Sequence, residues 1–244
     1  MQKTVAKRSG ATRDVAFFVF PGFQIQDLSG PLAAFDMAGR TSVGNPYRCH
    51  VVSLRGGGVV SSSGLEVVTR KIRSAAYDTF IVSGGSISGD LPDLLSMSHH
   101  LSKAAAKGTR RIASVCTGAF ILAAAGLLDG RRATTHWKYT KRLQREFPGI
   151  NVESDRIFTK DRGIWTSAGV TAGIDLALAM IEDDLGSPVS HAVAQMLVVY
   201  HRRPGGQSQF SAIADMEPES DRIREVLTYM REHLNEPLLT EQLA

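Results

Sequence analysis

Two cysteines, Cys49 and Cys116, cannot build a disulfide framework in a chain of 244 residues, and no Cys/His cluster has the spacing of a zinc site. Long hydrophobic runs are also missing. The longest near-continuous one, residues 119–128, is about half the ~20 residues that a membrane-spanning helix needs. The basic start (Lys3, Lys7, Arg8, Arg13) leads into an apolar stretch, but Pro21-Gly22 ends that stretch too early for a signal-peptide core. The chain has no Walker loop, Rossmann glycine fingerprint, paired-carboxylate signature, metal motif, internal repeat or low-complexity tract. No cofactor and no metal is therefore expected. Nor is there a strong charge of one sign: 28 basic residues stand against 24 acidic ones, a net +4. The charges are scattered, which permits an anionic partner without arguing for one. These absences lead to the expectation of a soluble, cytoplasmic protein with reduced thiols and no membrane contact. A chain of this length can bury roughly three quarters of its surface.

What is present is an alternation of buried strands and helices. Residues 14–20 (DVAFFVF), 79–83 and 111–115 are continuous apolar runs, the mark of strands covered on both faces. Residues 47–54 read as another strand, and 59–61 with 65–69 as a hairpin around Ser-Ser-Gly. Helix spacing runs over 28–39, 92–107, 119–125, 170–185 and 188–199, with short strands near Ala133, Val152, 157–159 and 164–166. This order predicts an α/β fold: a doubly wound, mostly parallel sheet with flanking helices. Residues 1–13 read as a basic, solvated arm, 14–200 as the α/β domain and 201–216 as a polar linker. Residues 217–244 read as a helix carrying Ile223, Val226, Leu227, Met230 and Leu234, followed by Thr240 as the cap of a helix only begun. A second domain that starts near the end of the chain is the expectation.

Cys116 follows a buried strand and opens a helix in SVCTG, the strand–turn–helix context of a nucleophile elbow. A thiol at a helix N-terminus is biased toward thiolate, whereas an isolated cysteine otherwise packs as an inert core residue. Gly84-Gly85-Ser86 lies past a strand's C-terminal end, where open α/β sheets keep their ligand crevice. Its amides, with that of Thr117, suit an oxyanion or carboxylate; the same tripeptide also suits a plain tight turn. Asp27 can cap the helix beginning at Leu28, or face Cys116 and exchange a proton with it. Of the pair, Asp27 is expected to hold the proton and Cys116 the negative charge. His136 and Trp137 follow a short strand. The histidine can pair with the thiolate or serve structurally, and the indole face can hold an apolar or cationic ligand.

The blocks SVCTGAFILAAAGLLDGRRATTHW and IWTSAGVTAGIDLAL resemble the ThiJ/PfpI superfamily, whose fold is glutamine-amidotransferase-like and flavodoxin-like. Within it the chain is most similar to the GlxA-type group of bacterial regulators, in which such a domain precedes an AraC-type helix-turn-helix domain. HRRPGGQSQF and the tail DRIREVLTYMREHLNEPLLTEQLA resemble the stretch that joins the two and the opening of the second. The resemblance implies a sensing domain for a small effector, an amino acid or a quaternary amine. Its pocket would be formed by Asp27, Gly85, Ser86, Cys116, Thr117, His136 and Trp137. It also implies a homodimer, and DNA binding through a C-terminal domain largely absent from this chain. DLSGP and SVCTGA also resemble isonitrile hydratase, and that resemblance places an essential acid, nucleophile and following residue on Asp27, Cys116 and Thr117. The alternative is thus a cysteine-dependent hydratase or hydrolase. The protease-like branch carries His after its cysteine, and Thr117 stands there instead.

Overall fold

Both sides of Arg13–Phe18 (β1) are apolar, and both are buried: Val15 and Phe17 enter one core, Ala16 and Phe18 the other. That double burial puts β1 inside a sheet with helices on both faces. The computed structural model describes residues 12–42, 44–73, 77–86, 94–200 and 202–209, and, further on, Val226, 228–230 and His233. Met1–Gln209 and Phe210–Ala244 are separate compact units.

In the first unit the chain runs β1, α1 (Ile25–Thr41), β2 (Tyr47–Ser53), β3 (Gly57–Val60), β4 (Glu66–Lys71), β5 (Thr79–Val82) and α2 (Leu94–Ala106). It continues through β6 (Arg111–Val115), α3 (Gly118–Ala124), β7 (Arg132–Ala133), a 3-10 turn (Trp137–Tyr139), α4 (Thr140–Glu146) and β8 (Asn151–Val152). β9 (Phe158–Asp161), β10 (Ile164–Ser167), α5 (Ala172–Leu185) and α6 (Ser187–Met196) complete it. The sheet order is β3-β4-β2-β1-β5-β6-β10-β9, and β7 pairs with β8 apart from it. Only the outer pairs, β3·β4 and β9·β10, are antiparallel. One core joins the sheet to α1, α5 and α6 through Phe35, Leu176, Ile181 and Val193, and the other joins it to α2, α3 and α4 through Leu101, Ile121 and Leu143. Each such side chain contributes ~1.5–3 kcal/mol by leaving water. No helix among the described residues is long and apolar enough to cross a membrane.

The expected doubly wound α/β sheet is therefore the observed fold, with local differences. α1 starts at Ile25, three positions before the expected start, because Gln24 rather than Asp27 caps it: the Gln24 side chain accepts the Gln26 N–H at 3.3 Å. The 3-10 turn and α4 escaped the sequence reading because α4 buries only Thr140 and Leu143, too few residues to print a helical period. α6 ends at Met196, short of Val199; Val198 stands at φ 55°. In the second unit Val226 and residues 228–230 are helical, while Ile223, Leu227, Leu234 and Thr240, like the arm through residue 11, lie outside the described residues.

The N-terminal ends of the strands are held by charge. Arg111, at the start of β6, is 2% exposed and pairs with Asp184, equally buried at the end of α5. Asp184 also accepts from Tyr47 Oη at 2.9 Å and Arg110 Nη1 at 2.9 Å, while Arg110 grips Asp78 through Nε and Nη2 at 2.8 and 2.6 Å. One carboxylate thus joins α5 to β2 and β6. Removing it leaves the Arg111 charge buried without its main partner, a situation that typically costs about 3–5 kcal/mol. Asp184→Ala is expected to lower stability by about that much in urea unfolding, with Asp36→Ala, an exposed i,i+4 partner of Arg40, changing it by less than about 0.5 kcal/mol.

Candidate functional site

Four strands end at the same place. The β1–α1 loop brings Asp27, in the first turn of α1; β5 ends in Gly84-Gly85; β6 ends in Cys116; β10 leads into Gly169-Val170. Asp27 is fully buried at their centre. Its Oδ2 accepts the Gly84 N–H at 3.1 Å, its Oδ1 accepts the Val170 N–H at 2.7 Å, and the Cys116 thiol donates to it. Of the two roles open to Asp27, the structure supports the one facing Cys116.

The backbone is bent to make these contacts. Cys116 stands at φ 55° and Val170 at φ 52°. A left-handed conformation is an outlier for a β-branched residue and costs on the order of 1–3 kcal/mol. At Val170 it turns the N–H toward a buried carboxylate; at Cys116 it makes the elbow, whose N–H donates to Ser167 O at 3.0 Å. Two glycines permit the approach. A methyl group on Gly84 would stand 2.6 Å from Asp27 Oδ2 and 2.7 Å from Cys116 Cβ, and one on Gly169 would overlap Cys116 itself.

The proton sits where the sequence reading did not put it. Burial pushes the Asp27 carboxyl up to about 6, with the Val170 and Gly84 amides and the thiol pulling the other way. Burial, then the charge of Asp27, push the Cys116 thiol up to about 12, against the opposing Thr117 N–H. At neutral pH the pair is a carboxylate and a thiol. The expected thiolate and protonated Asp27 are corrected on physical grounds. Two backbone N–H groups, one on each carboxylate oxygen, favour the charged form of Asp27. The helix behind Cys116, Gly118–Ala124, is only two turns long, and Cys116 itself is 8% exposed. Cys49 is likewise pushed up to about 12, by burial and then by Asp36.

Of the two readings open to Gly84-Gly85-Ser86, the structure supports the tight turn. Gly84 N–H is held by Asp27, Gly85 N–H by Thr117 Oγ1 at 2.8 Å, and Ser86 N–H by Gly22 O at 3.2 Å. The Thr117 hydroxyl in turn donates to Gly85 O at 2.8 Å. Gly84-Gly85-Ser86 is thus a closed turn locked to the elbow, and Ser86 lies at its exposed end.

His136 and Trp137 adjoin the elbow through Thr135, whose hydroxyl donates to Cys116 O at 2.8 Å. His136 Nδ1 accepts the Lys138 N–H at 3.3 Å and so caps the 3-10 turn. Burial, then Lys138, hold its imidazole below the ordinary value, so it is neutral at pH 7. Trp137 is half exposed, its ring centroid 5.5 Å from that of His136. A cavity of about 230 Å³ opens at the C-terminal ends of β1 and β2, lined by Phe18, Phe20, Leu54, Arg55, Val59 and Met97. Among the described residues no group of three His, Cys, Asp or Glu is placed to hold a metal.

Sequence reasoning missed three participants. Gly169 and Val170 lie within IWTSAGVTAG, but nothing local shows that their backbone serves a residue in α1. Gln209 was read as part of a polar linker. Instead Gly205 O accepts from Phe158 N and Gln207 O from Ile157 N, at 3.4 and 3.1 Å, and Arg203 grips Asp175 through Nε and Nη2 at 2.9 and 2.7 Å. Gln209 Oε1 accepts the Trp137 N–H at 2.9 Å, and its Nε2 lies within 3.0–3.3 Å of Thr134 Oγ1, Thr135 O, Ser154 O and Arg156 O.

A family profile described as the DJ-1/PfpI family matches residues 13–183. The HTH-type transcriptional regulator GbdR of Pseudomonas aeruginosa is 30% identical over 236 residues, which are 95% of this chain and 63% of that protein. The chain thus spans less than two thirds of the length of that relative. Isonitrile hydratase of Pseudomonas putida is 34% identical over 185 residues, 75% of this chain and 77% of the enzyme. A crystal structure of an AraC family transcriptional regulator from Pseudomonas putida superposes with a TM-score of 0.69 at 23% identity, over 76% of this chain and 99% of that one, a likeness of fold.

Two measurements follow from the protonation of the pair. An Asp27 raised to about 6 retains its proton in the folded state between about pH 4 and 6, where the unfolded chain has lost it. Its contribution to stability is complete below about pH 4 and falls by about 3 kcal/mol as pH rises through 6. The difference between wild type and Asp27→Asn in urea unfolding should therefore change by about that amount between pH 4 and 7; a constant difference contradicts the shift. Second, iodoacetamide should modify both cysteines slowly at pH 7.5, and Asp27→Ala, which removes the opposing charge, should accelerate Cys116 several-fold by mass spectrometry without affecting Cys49. A slower Cys116 in that variant means that Asp27 is the proton donor after all.

Proposed function

Because the chain belongs to the DJ-1/PfpI family, and is similar along nearly all of its length to a regulator that continues beyond it, we propose that it is the effector-sensing part of a DNA-binding transcription regulator of the AraC type. The observation that carries this reading is the 30% identity to that regulator over 236 residues, 95% of this chain. Cys116, raised to about 12 beside an ionised Asp27, is a poor nucleophile at neutral pH and a serviceable floor for a binding site. The effector lies over Cys116 and Thr117, bounded by Gly85 and Ser86 on one side and by His136 and Trp137 on the other. It is an amino acid or a quaternary amine: the half-exposed indole of Trp137 presents a face to a cation, the neutral His136 does not repel one, and the Asp27 charge lies beneath. DNA is read by a C-terminal domain of which Phe210–Ala244 is the beginning, and the regulator works in the cytoplasm as a homodimer.

The second reading is a hydratase acting through Cys116, with Asp27 as acid/base. It is supported by the contact of Asp27 with Cys116 and by the likeness to isonitrile hydratase. Calorimetric titration with amino acids and quaternary amines separates the two. The sensor reading expects saturable binding of one of them, kept in Cys116→Ser and about tenfold weaker in Trp137→Ala, the loss of one cation–π contact. Conversion of an alkyl isonitrile to the corresponding formamide, abolished by Cys116→Ser, establishes the hydratase instead.

A further inference from the structure

The charges that look scattered in the sequence are gathered by the sheet. β4 pairs with β2 in parallel, Val52 opposite Arg70 and Ser53 opposite Lys71, while β2 pairs with β1, Asp14 opposite Arg48 and Ala16 opposite His50. The result is a cavity of about 130 Å³ lined by Arg48, His50, Arg70, Lys71, Arg73 and Tyr77. β1 and β5 separate this part of the sheet from β6 and the elbow.

One carboxylate, Asp14, lies at the wall, and its charge is already taken: Oδ1 is 2.7 Å from His50 Nε2 and 3.6 Å from Arg48 Nη1. Arg70, Lys71 and Arg73 are exposed and have no ion-pair partner among the described residues. Arg48 and Arg70 share one face of the sheet, with Arg73 just past the end of β4, while Lys71 alternates to the other face of its strand; three arginines therefore line one concavity with one shared counter-charge. Each pair of like charges a few ångströms apart costs about 1 kcal/mol in water and more against a low-dielectric wall, here the 8%-exposed Tyr77. A bound anion reverses that cost. All three cations are arginines, whose planar forks match tetrahedral oxyanions two bonds at a time.

We propose that this pocket binds a phosphate dianion, free or as the monoester of a small molecule, independently of the Cys116 crevice. A concavity that holds one such group, with Asp14 at its edge, suits a compact dianion better than the extended phosphodiester track of a nucleic acid.

The test is calorimetry on the whole chain at pH 8 and low salt, with inorganic phosphate in one arm, phenyl phosphate in another and a DNA duplex in a third. Arg70→Gln and Arg73→Gln keep the aliphatic stems at exposed positions, and their thermal midpoints show whether the fold is intact. The proposal expects one saturable site for a small phosphate, about tenfold weaker in each variant. It expects no change in Arg40→Gln, an exposed cation outside the pocket, or in Cys116→Ser. Tighter binding of phenyl phosphate identifies the monoester as the ligand, and equal or tighter binding of inorganic phosphate identifies the free ion. No saturable small-phosphate site, binding unchanged in both pocket variants, or saturation by the duplex alone overturns the proposal.

Discussion

One buried carboxylate holds the functional end of this molecule together. Asp27 takes an N–H from the end of β5, an N–H from the turn after β10 and a thiol proton from the end of β6, and it hangs from the helix that follows β1. Four crossover connections that have no reason to meet at one point are made to do so by a group with only two oxygens. A buried charge is tolerable when it is hydrogen-bonded, and three donors reach this one. The other end of the sheet uses the same device: Asp184 joins α5 to β2 and β6 through Arg111, Arg110 and Tyr47. The sheet is pinned at both ends by single carboxylates, each fully engaged by its neighbours.

The demands of Asp27 explain the strain around it. Val170 and Cys116 both adopt a left-handed backbone, and Gly84 and Gly169 give up side chains so that the loops can close. The same closeness fixes the electrostatics. A carboxylate fed by two amides stays charged, and a charged carboxylate beside sulfur keeps the thiol protonated. An elbow of this shape is therefore not by itself a nucleophile; the group standing beside the sulfur decides.

How far the sequence revealed this depended on the range of each signal. Buried strands such as β1 and β6 wrote themselves as apolar runs, and the elbow as small residues around Cys116, because both are local. The pairing of Asp27 with Cys116 was open from its position after a strand, but its charge state was not, since that depends on the amide of Val170, far away in the chain. The choice between free and occupied amides at Gly84-Gly85-Ser86 stayed open for the same reason: the acceptors that occupy them lie on α1, on the elbow and at Gly22. α4 was invisible because it buries so little. The basic pocket was invisible because Arg48 and Arg70 become neighbours only once β2 and β4 pair.

Gln209 has a mechanical meaning. Its amide is clasped by the loop that carries Thr135, and the hydroxyl of Thr135 holds the carbonyl of Cys116. Residues 202–209 are stitched along the edge of the body by Arg203, Gly205, Gln207 and Gln209 in succession, so loosening any one of them strands polar groups that the next one faces. Such a seam opens as a block. A pull on the chain beyond Gln209 meets resistance until the clasp lets go, and when it does both N–H groups of the Gln209 amide leave the oxygens of residues 134, 135, 154 and 156 together. Residues 202–209 thus behave like a latch whose catch includes the loop that holds the carbonyl of Cys116.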